Sequence, residues 1–295
     1  MPEETARILN VRAVFSHKIA ILNFGILFAE VIGREMFNKY KTTYLKFLGF
    51  LNPFSKKGLS PRRDNTMQLD TRLRAAAEMI PRGARLADIG SDHAYLPIAL
   101  CTENKIEYAL ASDINEGPVS AARANVKKNG LDSRIEVIRA DGLDGAESFA
   151  PDCIAVLGMG GELIVSILDK ASWIRDEKIT LGLQPMTHAE TLAKYLASQG
   201  FAIIDEAVVC DGGRDDRIYR IVKARFSGET YELSESEALI GRINLDRGDN
   251  VTRALVEKSI RILEARINGK AVSGANAEYE KNLTEEMKSY LETKK

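Results

Sequence analysis

Acidic side chains in this 295-residue chain recur where apolar runs end, each beside glycine or other turn residues. Asp88-Ile89-Gly90-Ser91-Asp92-His93 closes one run, Asp113 the next, and Asp141-Gly142 follows a third. Gly158-Met159-Gly160-Gly161 closes a fourth and Gln184-Pro185 a fifth. Glycine at such a place lets a ligand approach the backbone closely. A dinucleotide fingerprint needs Gly-x-Gly-x-x-Gly, whereas Gly90 to Tyr95 holds a single glycine. Two neighbouring carboxylates, Asp88 and Asp92, also repel a pyrophosphate. They suit a ligand with a cationic amino group or a sulfonium centre.

These residues need elements that bring them to one edge. Leu69, Leu73, Ala76 and Ile80 share a helical face that Pro81-Arg82-Gly83 stops. Short strands are expected over 85–90, 109–114, 135–139, 153–157 and 179–184. Helices fall between them, over 118–128, 162–170 and 188–199, and Pro118 suits a first helical turn. Two further strands, 201–210 and 217–226, have no helix between them and suit an antiparallel sheet end. The pattern predicts an α/β fold, a mostly parallel sheet with helices on both faces. Ligands of such sheets bind at the carboxyl ends of the strands. There Asp113 suits the two hydroxyls of a ribose, and Asp141-Gly142 suits an adenine edge. A single turn aspartate has an ordinary capping use. Three at successive strand ends, with the glycine run, read as an S-adenosylmethionine site.

The run Asp88-Ile89-Gly90-Ser91-Asp92-His93-Ala94-Tyr95-Leu96-Pro97 resembles the signature of the bacterial tRNA (adenine-22-N1)-methyltransferase family. So do Asn115-Glu116-Gly117-Pro118, Asp141-Gly142-Leu143, Gly158-Met159-Gly160-Gly161 and Leu183-Gln184-Pro185. The resemblance covers about residues 67–295. It implies a Rossmann-like class I methyltransferase sheet over 67–230 and a C-terminal helical coiled-coil arm over 231–295. It further implies a cytoplasmic enzyme that uses S-adenosylmethionine to methylate N1 of adenine 22 of certain tRNAs. The implied cofactor-binding set is Asp88, Gly90, Asp113, Asn115, Asp141, Gly142, Gly158, Met159 and Gly160. The family often has glutamate where Asp113 stands, and many members have asparagine where Met186 stands.

Neutral adenine N1 carries an in-plane lone pair, so attack on a methyl group needs position rather than a strong base. A carboxylate beside N6-H would stabilise the growing positive charge. Asp92 is expected in that catalytic role. His93 is expected beside it, orienting the base or touching the cofactor; the ordinary alternative is a cap for the helix that starts near Ala94. Tyr95 either stacks on a base or packs in the core. Gln184 and Pro185 are expected to line the acceptor side. An Asn/Asp-Pro-Pro-Tyr run is absent after the fourth strand, which argues against an exocyclic-amine methyltransferase.

Val256, Ile260, Leu263 and Ile267 form one stripe near the C-terminus, and Tyr279, Leu283, Met287 and Tyr290 another. The turn-rich stretch 268–274 between them suggests a break and two helices folded back on one another. Arg253, Lys258 and Arg261, with Arg247, Arg266 and, just beyond it, Lys270, give the first helix a basic face suited to tRNA phosphates. Glu257 and Glu264 interrupt it, as on an ordinary solvated face.

The formal net charge of -1 hides a division. Residues 1–66 hold 11 Lys/Arg and 5 Asp/Glu, and the remainder is net acidic, so overall charge announces no nucleic-acid partner. Residues 1–66 read as a helical appendage, as a short domain extension, or as sequence upstream of a start at Met67. Their apolar stretch 19–32 contains Asn23 and Glu30 and is short for a membrane span, so no stable membrane insertion is expected. Cys101, Cys153 and Cys210 are scattered, and His17, His93 and His188 do not cluster, so no metal or disulfide framework is expected. No obligate protein partner is evident, and nothing fixes an oligomeric state. A methyltransferase of small molecules or proteins, or a non-catalytic nucleotide-binding module, is the competing reading.

Overall fold

The computed structural model describes residues 68–212 and 217–293. The expectations for residues 1–66 lie outside the described residues. Five strands run parallel: β1 (Leu86–Ile89), β2 (Ala109–Asp113), β3 (Ile135–Arg139), β4 (Cys153–Gly160) and β5 (Thr180–Thr187). Two more, β6 (Phe201–Cys210) and β7 (Ile218–Phe226), close the sheet antiparallel, in the order β3-β2-β1-β4-β5-β7-β6. Helices α1 (Thr71–Met79), α2 (Tyr95–Thr102), α3 (Glu116–Lys128), α4 (Gly161–Asp169) and α5 (Ala189–Ser198) flank it.

Period-two alternation explains the two cores. Ala87 and Ile89 of β1 face α4 and α5, packing with Ile154, Val156, Leu181 and Leu192. Leu86 faces the other way, among Leu96, Leu100, Ala122 and Val126 of α2 and α3. Asp88 shares the parity of Leu86, so its carboxyl is carried into the second face rather than into solvent.

Several boundaries differ from the sequence pattern. Strands β4 and β5 continue to Gly160 and Thr187 because Met159 pairs with Pro185 and Gly160 with Thr187, across register shifts. Helix α3 starts at Glu116, ahead of Pro118, whose missing N–H needs no partner in a first turn. In the tail no break occurs at 268–273. Helix α8 runs unbroken over Asn250–Ser273 and stops at Gly274, left-handed with φ +72°. An interior glycine such as Gly269 costs about 1 kcal/mol relative to alanine, which a helix of this length absorbs.

Two short helices, α6 (Glu235–Ile240) and α7 (Arg242–Arg247), precede α8, and α9 (Glu278–Thr293) follows it. Lys270 pairs with Glu280 at 2.6 Å and Lys288 with Glu264 at 2.7 Å, so α8 and α9 run antiparallel. Val256, Ile260 and Leu263 pack on Leu283, Met287 and Tyr290, while Ile267 of the expected stripe is only partly buried and outside that cluster. Tyr279 stands outside that core, half exposed, and donates to Glu235.

The arm is fastened to the sheet by a buried ion pair. Arg220 of β7 donates through Nε to Glu206 Oε1 at 3.0 Å, and through Nη1 to the carbonyls of Ala238 and Leu239. The other Glu206 oxygen accepts the Ile243 N–H at 3.0 Å. Gly241 crosses this carboxylate at φ +105°, where a Cβ would lie 2.4 Å from Oε2. Sheet and arm belong to one compact unit.

Candidate active site

Strand β1 lies between β2 and β4, so successive connections leave it in opposite directions. A crevice opens at such a switch point, outside the carboxyl ends of the strands. Asp88, Asp113, Asp141, Gly158 and Gln184 all stand along that edge.

Asp88 is buried and accepts the Ser91 hydroxyl. Burial pushes its carboxyl up to about 7, against the opposing pull of the Ser91 hydrogen bond and the Arg72 charge. The loop beyond it is held at both ends. Ser91 N–H donates to Ser112 O at 2.8 Å, and Asn125 Nδ2 donates to His93 O at 3.1 Å. Buried Ala94 takes φ +56°, a conformation uncommon without glycine. Ala94 is the N-cap of α2 and no side chain caps that helix, so His93 does not have the capping role. His93 instead stacks on Tyr95, ring centroids 5.0 Å apart, and its Nε2 lies 3.4 Å from Asp92 Oδ2. These residues, with Arg72 of α1, line a hollow of about 250 Å³.

Further along the edge, Asp113 Oδ1 accepts the Asn115 N–H at 2.8 Å. Asp141 pairs loosely with Lys170 at 3.7 Å, and Gly142 beside it is left-handed. Both line a second hollow of about 240 Å³ with Trp173.

The glycine run is shaped largely by the chain itself. The Met159 side chain covers Gly90, and the Arg72 guanidinium lies against Gly158. At Gly161 a Cβ would sit 2.1 Å from the His188 carbonyl oxygen, so that glycine admits the turn between β5 and α5.

Gln184 is fully buried and its amide is occupied. Its Oε1 accepts from Arg72 Nη1 at 2.9 Å and from Gly158 N–H at 3.1 Å, and its Nε2 donates to Pro185 O at 2.8 Å. Arg72 is the residue that sequence reasoning missed. It lies on a helix ahead of the first strand, and only the fold brings it to Gln184. Of the basic residues of the tail, Lys258 lines a cleft with Pro185. Arg253 lies near Tyr290, and Arg261 is exposed.

Burial pushes the Cys101 thiol up to about 11 and that of Cys153 to about 12, which disfavours the nucleophilic thiolate. Among the described residues no group of acids, histidines and cysteines could hold a metal ion, and no helix is long and apolar enough to cross a membrane.

The sheet is mostly parallel, its switch point opens an acidic crevice and the dinucleotide glycines are missing; a family model described as a methyltransferase domain matches residues 69–222, which places the chain among the methyltransferases. The tRNA (adenine(22)-N(1))-methyltransferase of Bacillus subtilis is 41% identical over 184 residues, 62% of this chain and 73% of that protein. The crystal structure of the B. subtilis m1A22 tRNA methyltransferase TrmK superposes with a TM-score of 0.63 at 31% identity, covering 77% of this chain and 97% of that one. M. capricolum TrmK, in complex with S-adenosyl-homocysteine, superposes with a TM-score of 0.63 at 26% identity, covering 77% and 99%. The chain belongs to the tRNA (adenine(22)-N(1))-methyltransferase family.

Proposed function

We infer that this protein transfers a methyl group from S-adenosylmethionine to N1 of an adenine in tRNA, adenine 22 by kinship. The observation that carries the reading is the row of carboxylates along the switch-point edge, in a chain with this family membership. Bound there, the donor supplies an electrophilic methyl group on a cationic sulfur. Asp88, held by Ser91, would take its amino group, and Asp113 with Asn115 its ribose. Asp141 and Gly142 would take the adenine edge, and Gly90, Gly158, Met159 and Gly160 form the floor. A cation also sits in this acidic hollow. Arg72, fixed by Gln184, would receive the amino-acid carboxylate, so Gln184 positions Arg72 rather than reading a base.

Residues 67–230 are the transferring body in this reading and 231–295 the arm that meets tRNA in the cytoplasm. Asp92 and His93 lie at the mouth, more exposed than Asp88, where an incoming base arrives. Asp92 would accept from N6-H as positive charge grows on the ring, and His93 stacked on Tyr95 offers a flat wall. The N1–methyl bond forms as the sulfur–methyl bond breaks, and that electron pair returns to sulfur. Adenine must leave its stack first, at a cost of a few kcal/mol in a duplex. Arg253, Lys258 and Arg261 on α8 would hold phosphates outside the pocket and help offset it.

Incubation of unmodified tRNA with labelled donor, followed by digestion to nucleosides, should yield labelled 1-methyladenosine. Label in another nucleoside, or none, contradicts the reading. Arg72 has its own test with decarboxylated S-adenosylmethionine. The wild type should bind the complete donor at least tenfold more tightly than the decarboxylated one, as expected for a lost charge-assisted hydrogen bond. Arg72→Ala should bind both equally. Retained discrimination in that variant would remove Arg72 from the carboxylate.

A further inference from the structure

Helix α8 has two useful faces. Val256, Ile260 and Leu263 are buried against α9. A neighbouring face, Leu255, Lys258, Ser259, Ile262 and Arg266, follows helical spacing and looks instead across a cleft at Pro185, Met186 and His188. The cleft measures about 390 Å³, within the range of small-ligand sites.

Its place matters. Pro185 and Thr187 pair with Met159 and Gly160 of β4, so the cleft begins where the donor crevice ends. It lies on the side of β4 away from Asp113 and Asp141. Its chemistry is mixed. Met186 and Ile262 expose apolar surface, 47% and 46%. Among the described residues, Lys258 has no hydrogen-bond or ion-pair partner. Arg266 acts on Glu280 only through space, since Lys270 makes the direct contact. The lining carboxylate, Glu190, has His188 Nδ1 at 3.6 Å, and Arg220 is already neutralised by Glu206. Two cations without a direct ion-pair contact, on the same helix face beside an apolar wall, complement a nucleotide, with a phosphate for the cations and a base for the wall.

We propose that this cleft seats a nucleotide adjoining the acceptor adenine, its phosphate on Lys258 and Arg266 and its base against Met186 and Ile262. The proposal rests on tRNA being the acceptor. An adenine drawn out of its stack leaves neighbours to be held, and a seat next to the crevice holds one while the acceptor reaches the methyl group.

The test uses full-length tRNA assembled by ligation, with one uncharged methylphosphonate linkage 5′ or 3′ of the acceptor adenine. For the wild type, one of the two positions should lower kcat/KM about tenfold. The variant Lys258→Ala/Arg266→Ala should lose a similar factor on ordinary tRNA and lose nothing further on the neutral linkage. Ile262→Asp should raise KM for tRNA without changing affinity for S-adenosylmethionine. Wild-type kcat/KM in the double variant overturns the proposal, as does undiminished sensitivity to the neutral linkage. So does an Ile262→Asp variant that keeps its KM but converts a dimer to a monomer, because the cleft then belongs to a second copy. Absence of methyl transfer to any tRNA by the wild type overturns the functional reading itself, and this proposal with it.

Discussion

Asp88→Asn should bind S-adenosylmethionine at least 100-fold more weakly and yet melt at a higher temperature than the wild type at pH 8. The two effects share a cause. Burial raises this carboxyl from 3.8 to about 7. Between pH 4 and 7 the folded protein therefore holds a proton that the unfolded chain has released. Stability falls as pH rises across that window, and the whole penalty is present above it. A shift of this size corresponds to a few kcal/mol. Asparagine carries no such penalty, so the stability gap should be widest at pH 8 and close toward pH 4. Binding runs the other way. The ionised carboxylate is the form that pairs with a cationic amino group, and its loss costs about 3 kcal/mol, near 100-fold. Wild-type affinity should rise about tenfold per pH unit up to about pH 7 and then level. Calorimetric titrations at several pH values, beside melting curves of both proteins, check both halves. A flat pH profile for binding, or an Asn variant less stable at pH 8, would contradict the account.

Arg220→Ala should destabilise the fold by about 3–5 kcal/mol, because it strands the Glu206 carboxylate in the interior. For a unit of this size that is a fall of roughly 10 °C in melting temperature. The joint replacement Arg220→Met/Glu206→Leu should recover part of the loss, since no buried charge is then left alone. Recovery stays partial because Ala238 O, Leu239 O and Ile243 N lose partners too. Arg220→Ala melting within 2 °C of the wild type would show that the pair does not fasten the arm. The same contact bears on truncation. Deleting 235–295 uncovers Glu206 and Arg220 together, so a loss of tRNA binding by that fragment would mix two causes.

Strand ends and their carboxylates were legible because alternation, helical spacing and turn residues are local signals. Asp88 follows from its parity with Leu86. The raised carboxyl of Asp88 does not, because it arises from burial in the folded protein, against the pull of Ser91 and Arg72. Arg72 was hidden for a similar reason: it meets Gln184 at a separation of 112 residues. Gln184 looked available in the sequence, while in the fold its amide is spent on Arg72, Gly158 and Pro185. Glu206 belongs to the same group. A register shift between Ile203 and Asp205 turns it inward, against what simple alternation assigns a charged residue. In the tail, glycine misled. Gly269 looks like a stop but lies inside α8, and the helix ends at Gly274 in the left-handed conformation.

The central claim is methyl transfer to N1 of a defined adenine, and reverse transcription tests it most directly. N1 lies on the pairing edge, so a methyl group there halts the polymerase. A tRNA transcript treated with the enzyme and S-adenosylmethionine should give a new stop at adenine 22, and a transcript with guanine at that position should take up no methyl. A stop elsewhere, or methyl uptake by the guanine transcript, would contradict the account.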